Sequence, residues 1–483
     1  MGRLVSAMLA RLMKAISDIP GPPPANSVPS AWRLFKQVRG DLLGTLERAF
    51  AEFGDVFRLE VFGRTQLFVR SPAMIREVLV DHADCFQKGP DYTDRRKGLA
   101  RFAGNGLVTS NGEFWKRQRR IVAPAFHSRS VGGYLDTMVA LTTRTLEGWK
   151  DGQSLQLDDE MMALTLHLVG RTLFSTDVHD DVERIAGAME VIHGMIEANN
   201  SPATLLPGWF PTPQRWRETR AVQTLDEIMY RLIRQRRPTP DAPVQDTGDL
   251  TSMLLRAEDE AGARMTDVQA RDELVTIFLA GHETTANALS WAWLLIAQHP
   301  EVEARLHAEV DEVLGGRAPT LEDLKKLPWV DAIARETLRL FPPIFTFLRN
   351  CIKETTLGEY ALTPGVDVSV VPWATHRDAR YFSDPLVFQP ERFLGERKDS
   401  IERYAYVPFG AGPRICVGNA FSMMELSVTI ALIASRFRLI PEARSQGALL
   451  GLVPPEPGLT LRPRGPLPVR LQARAPGVPA PPA

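Results

Sequence analysis

Cysteine is scarce in this chain. Among 483 residues only Cys85, Cys351 and Cys416 carry a thiol. The number is odd and no pair has C-x-x-C spacing, which argues against a disulfide scaffold or a zinc ribbon and fits a reducing compartment such as the cytoplasm. An excess charge of either sign is missing too. Lys and Arg total 57 against 58 Asp and Glu, a net charge of −1. Nothing in that balance points to a nucleic acid partner. Long apolar runs are absent at the start of the chain. Leu4, Val5, Met8, Leu9, Leu12, Met13 and Ile16 repeat at helical spacing, with Arg3, Arg11 and Lys14 among them. The run falls short of the roughly 20 apolar residues that span a bilayer, and its charges interrupt the core of a cleavable signal. Pro20-Gly21-Pro22-Pro23-Pro24 then stops the helix. Segment 1–19 is expected to be an amphipathic helix that packs on the protein or touches a membrane surface peripherally. A Walker A loop is absent, and Gly410-x-Gly412 lacks the third glycine of a dinucleotide fingerprint. In the 67 residues after Cys416 we expect no fused flavin reductase.

What is present reads as globular: 44% hydrophobic and 24% charged residues, enough for a large core. The pattern over 56–69 alternates around Gly63-Arg64 and predicts a β-hairpin. Most of 70–345 reads helical, broken by a proline-rich stretch at 202–213 and a polar one at 238–248. Short strands are expected over 355–371, with turns at Gly358 and Pro364-Gly365, and a buried helix over 421–437. The Ala/Pro-rich tail 474–483 is expected to be disordered. The fold class is mainly α with small β-sheets, in one domain over 20–473.

Four constellations carry chemistry. Cys416 stands in Phe409-Gly410-Ala411-Gly412-Pro413-Arg414-Ile415-Cys416-Val417-Gly418. A cysteine between two glycines, with an arginine two residues before it, suits a thiolate ligand to haem iron. The glycines let the backbone turn tightly around the sulfur, Phe409 can cover it, and Arg414 supplies a permanent cation. The bland alternative is a buried structural cysteine. The second constellation is Ala280-Gly281-His282-Glu283-Thr284-Thr285, inside a helical pattern from 267 to about 298. Gly281 costs about 1 kcal/mol of helix propensity, which suggests close approach of something to the backbone. Thr284 can bond back to the Ala280 carbonyl and distort the turn. Third, Glu336 and Arg339 share a helix face, with Arg392 downstream. Fourth, Trp115 and Arg119 lie one helical turn apart. The surplus cations Lys116, Arg117 and Arg120 read as a solvated face or as a rim that speeds encounter with an acidic donor.

These four stretches, in this order, resemble the motifs of the cytochrome P-450 family: Trp-x-x-x-Arg, the oxygen-binding helix, Glu-x-x-Arg, and the Phe-x-x-Gly-x-Arg-x-Cys-x-Gly loop. Every fixed position of the loop matches. The wording of the oxygen helix and the proline hinge look more like the fatty-acid and microsomal-type branch. The resemblance implies a triangular, prism-like fold with haem b between the oxygen helix and the Cys loop. It implies Cys416 as the axial thiolate, Trp115, Arg119, Arg349 and Arg414 as haem propionate contacts, and Phe409 over the sulfur. Glu283 and Thr284 would form the proton path, and His282 would not be a ligand. The implied activity is insertion of one oxygen atom from O2 into a lipophilic substrate, by hydroxylation or epoxidation. NAD(P)H would act only indirectly, through a ferredoxin or flavoprotein electron donor.

The same resemblance implies a pocket lined by Leu107, Val108, Leu205, Leu206, Phe278, Ala280, Ile344, Phe345, Phe347 and Val453, with Thr346 as a polar handle, which would favour a fatty acid or a terpenoid. Arg95, Arg96, Lys97 and Arg101 form either a carboxylate anchor or a solvated loop face. The alternatives are a haem-thiolate isomerase, dehydratase or peroxygenase on the same fold, and a non-catalytic haem sensor.

Overall fold

The computed structural model describes residues 13–96, 98–174, 179–198, 212–239, 242–258, 262–442 and 453–474. The chain forms two compact units, each assembled from separated stretches. One comprises 1–90, 344–387 and 398–416, the other 91–343, 388–397 and 417–483.

The first unit is built on a five-stranded sheet. Its strands are β1 (Val56–Val61), β2 (Arg64–Val69), β3 (Phe86–Gln87), β4 (Phe347–Cys351) and β5 (Asp367–Val370), in the order β1-β2-β5-β4-β3. β1 and β2 form the expected hairpin, with Val56 opposite Val69. Its two-residue turn is Phe62-Gly63, one position earlier than the sequence suggests. Both residues have positive φ, 47° and 74°, the conformation that a tight hairpin turn requires. β5 lies parallel to β2, and the other pairs are antiparallel. Alternation puts Leu67, Val69, Val368 and Val370 into one buried cluster with Ile75 and Tyr360. Thr355–Leu357 and Tyr360–Leu362 pair as the expected short strands.

The described end of segment 1–19 belongs to this unit. Lys14 bridges Tyr360 through backbone hydrogen bonds, and Ile19 is 1% exposed in the same cluster. Residues 1–12 lie outside the described residues.

The second unit is mainly helical. Its frame is α1 (Gly112–Val122), α2 (Leu157–Phe174), α3 (Pro213–Arg236), α4 (Asp267–Gln298), α5 (Pro328–Leu340) and α6 (Asn419–Arg436). α4 has 32 residues and is buried along most of its length, so it is apolar on nearly every side. Thr266 caps it, accepting a hydrogen bond from the Gln269 N–H, while Gln269 reciprocates. Gly281 packs against Val169 of α2; a Cβ there would sit 3.2 Å from a Val169 methyl. The close approach foreseen for this glycine is therefore a neighbouring helix. Three strands, 154–156, 437–441 and 468–473, and a second pair, 455–457 with 461–463, complete the unit. The proline-rich stretch at 202–213 and the tail 474–483 fall largely outside the described residues. Among the described residues, no helix is long and apolar enough to cross a membrane.

Candidate functional site

The Cys loop belongs to the first unit and is shaped by its backbone. Gly410 donates to the Val407 carbonyl, Ile415 to the Gly412 carbonyl, and the Cys416 N–H to the Phe409 carbonyl at 2.9 Å. Gly412 has φ of 68°, and a Cβ on it would lie 1.9 Å from the Leu79 carbonyl oxygen. No other residue fits there without moving backbone. The loop is anchored below by His376, whose Nε2 accepts the Val407 N–H at 2.9 Å. Cys416 is exposed and Phe409 half-buried. The bland reading of a buried structural thiol does not hold; Cys351 is the cysteine that behaves that way, fully buried with its thiol on the Lys353 carbonyl.

Three cations of this unit act on one another. Burial and the charges of Arg349 and Arg414 hold the Lys88 ammonium well below its usual range. Burial, with Arg349 second, pushes Arg414 down to about 10. Lys88 is half-buried as a residue. Mutual repulsion among enclosed cations is a cost that a bound dianion would remove. The two propionates of haem have that chemistry. Lys88 was not legible as a site residue, because a lone Gln-Lys-Gly carries no motif.

In the second unit, α4 carries the Ala-Gly-His-Glu-Thr-Thr stretch. The helix runs unbroken through it, so the expected distortion does not interrupt the turn. Thr284 donates to the Ala280 carbonyl at 2.8 Å, as its spacing foretold. Ala280 is exposed and Gly281 and Thr284 are half-exposed, whereas 270–279 and 285–296 are buried. Spacing of one, three and four places these three residues on one helix face. The helix thus opens at one short patch and nowhere else along its middle. His282 is buried, its Nδ1 on the Phe278 carbonyl at 3.1 Å, which places it in helix packing.

Glu283 is buried, and its Oε1 accepts the Thr460 hydroxyl at 2.7 Å. Thr285 turns to α6, its hydroxyl 3.2 Å from that of Ser422. Burial pushes the neighbouring Glu425 up to about 8. The Thr285 hydroxyl opposes that shift without forming a hydrogen bond of good geometry.

Trp115 and Arg119 sit on α1, both half-buried. α1 is fixed to α4 by Gln118, which donates to Glu273 Oε1 at 3.0 Å, while Leu107 N–H donates to Oε2 of the same carboxylate at 3.0 Å. Burial raises Glu273 to about 8. A single Glu on a buried helix gave no sequence signal for this clamp.

Glu336, Arg339 and Arg392 converge as foreseen. Arg339 holds both Glu336 oxygens at 2.7 Å, fully buried. Arg392 Nε and the Gln389 N–H also donate to Oε1, at 3.3 and 2.9 Å. Removing one partner would strand a buried charge at a cost of about 3–5 kcal/mol. In the short helix Ala100–Ala103 before α1, Arg101 pairs with Glu218 at 2.5 Å, which occupies one of the four candidate carboxylate anchors.

Known proteins agree with the motifs. The family model for Cytochrome P450 matches residues 22–461. Cyclooctatin synthase of Streptomyces melanosporofaciens is 37% identical over 80% of this chain and 83% of its own length. Pentalenene oxygenase of Streptomyces avermitilis is 33% identical over 88% of this chain and 91% of its own. The crystal structure of the cytochrome P450DA heme domain superposes with a TM-score of 0.82 at 26% identity, covering 96% of this chain and 99% of that one. The fold, the cofactor and the reaction class follow together: haem with thiolate ligation, electrons from a separate redox protein, and one oxygen atom of O2 transferred to substrate. The chain belongs to the cytochrome P450 family and is a haem-thiolate monooxygenase.

Proposed function

We propose that Cys416 is the thiolate ligand and that this enzyme oxygenates a terpenoid. Haem, when bound, supplies dioxygen activation, and a thiolate favours O–O cleavage. The chain's own residues do the rest. Cys416, exposed on a loop whose backbone is closed by the Phe409 carbonyl, supplies the ligand sulfur. In the first unit Lys88, Arg349 and Arg414 bind propionate; Trp115 and Arg119 do so as the Trp-x-x-x-Arg motif implies. Phe409 would cover the sulfur once haem is bound. Thr284, at the open patch of α4, and the buried Glu283 next to it in the chain deliver protons.

The substrate reading is carried by one observation: the relatives named for cyclooctatin, cyclooctat-9-en-7-ol and pentalenene are terpenoid enzymes, 37%, 36% and 33% identical over the aligned residues. The pairing of Arg101 with Glu218 weakens the case for a fatty acid, since it removes a carboxylate anchor. Leu107, Phe278 and Val453 are buried apolar positions consistent with a greasy lining, while Leu205 and Leu206 lie outside the described residues. Each Å² of apolar substrate surface buried contributes roughly 25 cal/mol. The electron donor is a ferredoxin or a flavoprotein. The protein works in the cytoplasm, with at most peripheral membrane contact. Spectral titration tests the substrate class: polycyclic terpenoid hydrocarbons and alcohols should shift the haem spectrum, and fatty acids should not. Tight binding of fatty acids with no response to terpenoids would overturn it.

A further inference from the structure

Glu283 does not stand alone on α4. Its Oε1 accepts the Thr460 hydroxyl at 2.7 Å, and the Thr460 oxygen in turn accepts Asn287 Nδ2 at 2.9 Å. Asn287 lies one turn further along α4, whereas Thr460 comes from the turn between strands 455–457 and 461–463, 177 residues away from Glu283. All three are buried, with 4%, 3% and 5% exposure for Glu283, Thr460 and Asn287.

The chemistry of the donors sets the direction. An amide nitrogen only donates, so Asn287 occupies one of the two acceptor positions of the Thr460 oxygen. The single hydroxyl hydrogen of Thr460 then goes to Glu283. With Oε1 engaged as an acceptor, protonation is favoured at Oε2. Nor is the hydroxyl needed to dock the turn. Leu461 already does this twice: its carbonyl accepts Trp291 Nε1 at 3.2 Å, and its N–H donates to the Pro343 carbonyl at 2.9 Å.

We infer that Thr460 and Asn287 are positioning residues for proton delivery, fixing Glu283 so that a single carboxyl oxygen exchanges protons. The inference rests on the reading of Glu283 as the proton-delivery acid. A donated hydrogen bond favours the ionised carboxylate, so its removal favours the protonated form.

The test uses substrate-free holoenzyme and infrared difference spectra between pH 5 and 9. The C=O band of protonated Glu283 is assigned by its loss in Glu283→Gln. In Thr460→Val the band should move to higher wavenumber and persist to higher pH, with haem content and visible spectrum unchanged. Asn287→Leu should shift it in the same direction but less, and Thr460→Ser should restore both band and midpoint. In turnover with a surrogate reductase, Thr460→Val should raise the peroxide yield about threefold or more, as a misplaced acid would. Unchanged band position and midpoint in Thr460→Val overturn the inference, as does the absence of any Glu283-dependent band in that pH range. Glu283→Gln separates the two levels. If that variant keeps the wild-type product per NAD(P)H, the proton-path reading fails. If it uncouples while Thr460→Val does not, only the positioning role fails.

Discussion

The Cys loop and the oxygen helix solve the same problem, placing one reactive group, by opposite means. The loop does so with backbone: positive φ at Gly412, a carbonyl 1.9 Å from where its Cβ would be, and an N–H of Cys416 spent on the carbonyl of Phe409, seven residues earlier in the same loop. The helix does so with side chains, and its decisive partners are remote. Thr284 bonds locally to Ala280, but Glu283 depends on Thr460 and Thr285 on Ser422, more than a hundred residues downstream. Backbone-determined geometry tolerates few substitutions, and its loss should be all or none. Side-chain geometry can fail by degrees, and its loss should show in the fate of electrons before it shows in folding.

Gly412→Ala should therefore have the largest effect. The added methyl meets the Leu79 backbone and adopts a φ that costs about 1 kcal/mol or more even without the clash. Little haem-loaded protein should be recovered, read as the ratio of haem to protein absorbance. A haem-replete Gly412→Ala protein would break the contrast from the loop side. Thr284→Ala comes next. Haem content and fold should survive while product per NAD(P)H falls about tenfold or more and peroxide appears instead. Unchanged coupling would remove Thr284 from the proton path.

That contrast also explains what was legible in the sequence. The four motifs, the bounds of α4, the Thr284 hydrogen bond and the Glu336–Arg339–Arg392 cluster could be read because each is local or has a fixed pattern. Lys88, Thr460, Asn287 and the Glu273 clamp could not, because each acquires its role only from a partner brought close by folding. Gly281 was legible as a position needing space, but not as the seat of Val169. For Cys416 the flanking pattern argued for a ligand over a buried structural residue, and its exposure speaks against the latter.

Lys88→Met sharpens the comparison within the first unit. Removing one of three mutually repelling cations should stabilise the haem-free protein while weakening haem retention about tenfold, the worth of one charge-assisted hydrogen bond. Transfer of haem to an acceptor protein and thermal melting of the haem-free form give the two signs. If both move in the same direction, Lys88 does not face the propionates.

The smallest effect is expected behind the oxygen helix. Glu425 is raised to about 8 by burial, above the roughly 4.3 of a free Glu side chain. The native state therefore binds a proton that the unfolded chain releases, and stability falls as pH rises from about 4.3 towards 8. Glu425→Gln cannot ionise, so its melting temperature should fall less between pH 5 and 8 than the wild type's. Parallel curves for the two proteins would mean that Glu425 is ionised in the native state.

The central claim, that Cys416 ligates haem iron as thiolate, is tested most directly by the ferrous carbonyl spectrum. Wild-type protein should absorb at the long-wavelength position typical of thiolate ligation, and Cys416→Ala and Cys416→His should lose that band. A normal thiolate-type spectrum from Cys416→Ala would contradict the account.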